Sequence, residues 1–180
     1  MEKNREIPST NYRIHNCHVH LFSIDHIPAY FINGLISTRR AKQLAGKKTL
    51  AKALLKIFKG KFNRYSAFLY SALNEPEDIF KELIAYYPSN TRFVPLSVDF
   101  DYMEAGMPIR PYLKQLEDLA ALREKYPDLL FPFVSADPRR PDVTSLVRDY
   151  IETKGFYGIK MYPALGFFPQ DPRLHELYAW

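Results

Sequence analysis

Four apolar segments, each followed by residues at helical spacing, constrain this chain more than any other feature. They are residues 14–22 (I-H-N-C-H-V-H-L-F), 92–100 (R-F-V-P-L-S-V-D-F), 129–138 (L-L-F-P-F-V-S-A-D-P) and 156–163 (F-Y-G-I-K-M-Y-P). Strands that are apolar along most of their length are covered on both faces, and strands alternating with helices pair in parallel. The fold class expected is therefore α/β. Residues 27–88 read as a helical insertion after the first strand, with Leu50, Leu54, Leu55, Ile57 and Phe58 as an apolar stripe between lysines. A second helix within it opens at Pro76, carries Ile79, Phe80, Leu83 and Ile84, and stops near Tyr87-Pro88. A helix over 111–125 carries Leu113, Leu116, Leu119 and Leu122, one over 142–154 is capped by Gly155, and the last begins near Asp171-Pro172.

Each strand ends in polar or loop-forming residues, as where active-site loops leave a TIM-like (β/α)8 barrel. Such a barrel needs about 200 residues or more, and this chain of 180 residues supplies only the first four β/α units. The expectation is one partial barrel domain over residues 1–180, the N-terminal half of a larger barrel, with the 27–88 insertion inside it. A complete small α/β sandwich is the alternative.

The single cysteine, Cys17, excludes an internal disulfide, so no oxidising compartment is required. The first ten residues have no apolar core of a secretory signal, and no apolar run approaches the roughly 18 residues of a membrane span. A cytoplasmic enzyme is the expected class. The net charge of +5 is unevenly placed: no acidic residue lies between Asp25 and Glu75, an interval that carries a run of lysines and arginines from Arg39 to Arg64. Such a run is most often a solvated helix face; membrane contact, nucleic-acid contact or a lid attracting anions are the rivals. No nucleic-acid motif accompanies it, so no nucleic-acid partner is expected, and a membrane partner is disfavoured.

The chemistry is proposed by H-V-H at the end of the first strand. Residues two apart in a strand point to one face, so His18 and His20 can reach one metal ion. A buried, hydrogen-bonded pair is the bland alternative. Asn16 is expected on the same face as a supporting donor or core residue; His15 and Cys17 are expected to pack on the other. Lys160, within an apolar strand, needs a partner or a function. It is a possible metal or substrate residue, either carboxylated, binding a substrate anion, or paired with Asp99 or Asp137. Asp99, Asp101 and Asp137 fall at strand ends, where capping is the alternative to catalysis. Arg139 and Arg140 read as a solvated loop pair, with binding of an acidic substrate group as the functional alternative. Tyr162, Phe167 and Phe168 flank a loop able to wall a ligand pocket. Substrate-pocket candidates are thus Tyr162, Arg139 and Phe167. His175 reads as a surface residue.

Three segments resemble the amidohydrolase superfamily, in its branch of amidohydrolase-related metal-dependent hydrolases and decarboxylases. They are H-V-H at 18–20, P-F-V-S-A-D-P-R at 132–139 and G-F-Y-G-I-K-M-Y-P-A-L-G-F-F-P-Q-D-P at 155–172. The resemblance implies a (β/α)8 barrel with a divalent metal, expected to be Zn2+, at the C-terminal ends of the strands, held in part by His18 and His20. In some branches a strand-four lysine, here Lys160, is carboxylated. The other ligands and the proton-shuttling aspartate are then expected beyond residue 180. The implied activity is hydrolysis, with metal-activated water attacking a carbonyl-type small-molecule substrate. The alternatives are metal-dependent decarboxylation, or an incomplete half-barrel that binds ligands or forms a homo-oligomer through open sheet edges.

Overall fold

The computed structural model describes residues 12–28, 30–31 and 71–180. The basic stretch 39–64 and most of the 27–88 insertion lie outside the described residues. The described chain runs β1 (His15–Val19), α1 (Pro76–Ile84), β2 (Arg92–Pro95), α2 (Tyr112–Lys125), β3 (Phe133–Ser135), α3 (Val143–Glu152), β4 (Gly158–Lys160) and α4 (His175–Ala179), with one-turn 3-10 helices at Ile24–His26, Pro163–Leu165 and Pro172–Leu174.

Among the described residues, all strand pairing is parallel. β1 pairs with β2 and β3 with β4, and single bridges Phe93–Leu130 and Leu96–Phe133 join the two pairs. The strands are thus adjacent in sequence order, each followed by a helix. They are shorter than the apolar segments predict. Beyond Pro95 the ladder gives way to side-chain clamps from α2. Gln115 accepts from the Val98 N–H at 2.8 Å and donates to the Val98 carbonyl at 3.3 Å. The Tyr112 hydroxyl donates to the Ser135 carbonyl at 2.7 Å and accepts from the Ser135 N–H at 2.8 Å. Buried backbone groups must be paired, and here side chains replace the missing strand partners.

One apolar core lies between the strands and helices α1 to α3. Phe80 and Phe93 meet edge to face at 5.6 Å, and Leu116, Val134 and Val147 are fully buried beside them. Leu113 is exposed while Leu116, Leu119 and Leu122 are buried. Steps of three residues drift by about 60° around a helix, so four such positions cannot share one face. A second, smaller cluster sits on the loops leaving the strands, built from Phe22, Ile24, Ile27, Val98, Phe100, Leu165 and Phe167 with Ala72 and Leu73.

Among the described residues, the opposite face of the strands is only partly covered. Phe133, Gly158 and Lys160 are half-buried. A Cβ on Gly158 would meet the Phe133 ring at 2.7–2.9 Å, so glycine lets that ring lie flat against β4. The register of β1 shifts between Asn16 and Val19. Such an irregularity changes which residues face which side. Asn16 therefore does not share the face of His18 and His20: its amide donates to the Tyr87 hydroxyl at 3.0 Å, and Tyr87 packs on the helix-side core. His15 and Cys17, expected to pack, are exposed, because among the described residues nothing covers them.

Candidate metal centre

His18 and His20 converge at the C-terminal end of β1. Their Nε2 atoms stand 3.2 Å apart, with the rings edge to face. Two nitrogens bound at about 2.0–2.1 Å to one tetrahedral zinc are about 3.3 Å apart, so this spacing suits a shared ion. His20 Nδ1 lies 2.9 Å from the Leu96 carbonyl. A carbonyl only accepts, so Nδ1 carries the proton and Nε2 presents its lone pair. This is the arrangement by which a backbone carbonyl fixes the tautomer of a metal-ligating histidine. The His18 N–H donates to Asn16 Oδ1 at 3.2 Å, which holds the backbone between the two residues. The pKa of His20 is lowered, first by burial and then by His18 and Lys160, against the opposing bond to Leu96. A neutral imidazole, the form that ligates, is favoured.

Among the described residues, no third histidine, cysteine, aspartate or glutamate joins the pair to form a metal-holding group. The aspartates at the strand ends are engaged elsewhere. Asp99 is fully buried and receives the Arg140 fork, Nε to Oδ2 at 2.9 Å and Nη2 to Oδ1 at 3.1 Å. Burial raises the Asp99 carboxyl above its ordinary range and Arg140 opposes that rise. Arg140 also bonds Asp101 at 2.9 Å, and Asp101 accepts the Tyr112 N–H at 3.1 Å, so Asp101 caps α2. Asp137, also buried, holds Arg139 at 2.9 and 2.6 Å, and Arg139 reaches on to the Leu165 carbonyl at 2.9 Å. Arg139 and Arg140 are thus structural ties between strand-end loops, not a solvated pair. Asp99 and Asp137, the partners that the ion-pair alternative offered Lys160, pair with these arginines instead.

Lys160 ends β4 with its ammonium 5.4 Å from the centre of the Tyr162 ring. Tyr162 and Phe168 are exposed, whereas Phe167 is buried in the strand-end cluster and underlies the loop. Phe22 of that cluster approaches the His20 ring at 5.2 Å, so an apolar wall adjoins the pair. His175 is exposed. A cleft of about 830 Å³ lies elsewhere, against α3, between the Pro138–Asp142 loop and Arg173; His18, His20 and Lys160 do not line it.

One buried histidine escaped sequence reasoning. His26, 1% exposed, follows β1 in a one-turn helix. The Ser23 N–H donates to its Nδ1 at 3.1 Å, which leaves the proton on Nε2, 3.3 Å from Asp118 of α2. Burial pushes the Asp118 carboxyl up, but His26, Lys114 and Arg110 together hold it below its ordinary range. The pair ties the loop after the candidate ligands to α2. The sequence signal was Ser23 three residues before His26, the spacing of an N-terminal capping pair.

No family model, curated protein or solved structure matches the chain. Among the described residues, no helix is long and apolar enough to cross a membrane.

Proposed function

We propose that the chain is part of an amidohydrolase-type, metal-dependent hydrolase, with His18 and His20 as two ligands of a divalent, zinc-class ion. The observation that carries this reading is the 3.2 Å approach of two Nε2 atoms, a hydrogen-bonding distance, with the His20 lone pair turned toward His18 by the bond from His20 Nδ1 to Leu96. Four parallel strands in sequence order, each followed by a helix, are the arrangement that the first half of a TIM-like barrel would have. The pair sits at the C-terminal end of its strand, where barrel chemistry gathers.

His18 and His20 would hold the ion in part, and an ion held there would supply Lewis-acid polarisation and activation of water. The residues of this chain do the holding and shaping. Leu96 fixes the His20 tautomer, Phe22 and its neighbours exclude water from one side, and Asp99–Arg140 and Asp137–Arg139 anchor the loops that frame the site. A carbonyl-type small molecule is the substrate class. Decarboxylation on the same site is the second reading, favoured by the lysine charge beside the pair. A cytoplasmic location belongs to the same proposal.

The test is turnover by the full-length protein against a panel of esters, amides and carboxylic acids. The expected result is activity abolished by chelation, restored by zinc, and reduced at least 100-fold in His20→Ala. Activity indifferent to both chelator and substitution would refute the reading.

A further inference from the structure

We infer that Lys160 is an oxyanion receptor beside the histidine pair, so that the ligand of this site carries a carboxylate or phosphate-class group. The inference rests on the metal-site reading above.

Position is the first argument. Lys160 pairs with Ser135, two residues beyond Phe133, and Phe133 bridges to Leu96, whose carbonyl holds His20. Paired residues of a parallel ladder point to the same side, and alternate residues share that side. Lys160 therefore stands on the same face as Phe133 and Gly158, one pleat repeat beyond the row that runs from Leu96 through Phe133 to Gly158. Its charge reaches His20.

The second argument is charge balance. Arg110, Arg139 and Arg140, each partly or largely buried, have a carboxylate within 3.2 Å. Lys160 is half-buried, yet among the described residues no carboxylate lies within ion-pair distance of it. Asp99 and Asp137, the acids at neighbouring strand ends, are saturated by their arginines. A half-buried cation without an acidic neighbour has room for an anion from outside.

The third argument is the surroundings. The Tyr162 ring flanks the ammonium and Phe22 flanks His20, so aromatic surface adjoins both the cation and the histidine pair. A lysine is a point charge with rotatable donors and does not discriminate geometrically between carboxylate and phosphate. A carbamate-forming ligand role makes the opposite demand, because it removes the positive charge.

The experiment is calorimetric titration of the full-length protein, zinc-loaded and metal-free, with benzoate, phenyl phosphate and the neutral benzamide. Zinc content is measured in parallel. The expected result is binding of the anions but not of benzamide. Affinity should fall at least tenfold in Lys160→Met and stay within about threefold of wild type in Lys160→Arg, with zinc content unchanged. Tighter benzoate than phenyl phosphate assigns the carboxylate class, and the reverse assigns the phosphate class. Lysine-dependent anion binding without zinc uptake would retain the receptor while removing the metal reading. Anion affinity equal in wild type and Lys160→Met, no anion binding at all, or zinc lost in Lys160→Met would each overturn the inference. Lys160→Gln serves in place of a Lys160→Met protein that fails to fold.

Discussion

The two faces of the strands differ in what they are built for. Toward the helices, Phe93, Leu130 and Val134 lie at 0–1% exposure and meet aromatic and aliphatic partners on every side. On the other face Phe133, Gly158 and Lys160 remain half-buried, and His18 and His20 keep surface open to solvent. The helix face supplies stability through apolar burial, and the open face carries the groups with unused chemical capacity. Between them runs a layer of polar clamps, Tyr112, Gln115 and Ser97, that shapes the strand ends without touching the histidines.

The sharpest contrast comes from two phenylalanines. Phe80→Ala, at a position with no exposure, should cost about 3–5 kcal/mol, whereas Phe133→Ala on the open face should cost about half that or less. Urea unfolding of both variants checks this, and equal losses would mean that the open face is as well packed as the other. Arg140→Met should cost about 3 kcal/mol at neutral pH, since Asp99 would be left buried without its counter-charge. The same denaturation series tests it, and a neutral effect would show that the ion network adds little.

The smallest effect concerns Asp118. Its carboxyl is held below its ordinary range, so it contributes stability above that range, lost as pH falls below about 4. Asp118→Asn should cost about 1–2 kcal/mol at pH 7 and flatten the acid limb of the stability profile. Denaturation midpoints at pH 7 and pH 3.5 provide the comparison. A steeper acid loss in the variant would contradict the assignment.

The alternation of strands and helices was legible in the sequence, because apolar runs, Pro76 and the leucines of α2 are local signals. The lengths of the strands were not. Val98 looks like a strand residue and Ser135 is the last residue of β3, but Gln115 and Tyr112 take the bonds that further strand neighbours would have made. The face of Asn16 was misread because the shift in β1 occurs between it and Val19, and no residue type announces it. The convergence of His18 and His20 follows from their spacing, whereas the carbonyl that orients His20 lies 76 residues away. Arg140 looked like a loop arginine because its acids are also distant, at 39 and 41 residues. His26 stayed hidden behind the louder H-x-H beside it.

The most direct test of the account is a zinc competition titration on the full-length protein, against a chromophoric chelator, with His18→Ala, His20→Ala and the double variant. The account expects stoichiometric zinc in wild type. Each single variant should lose at least 100-fold in affinity, and the double variant should lose little more than either single, because the two nitrogens act on one ion. Zinc bound with undiminished affinity by the double variant would place the metal elsewhere and contradict the account.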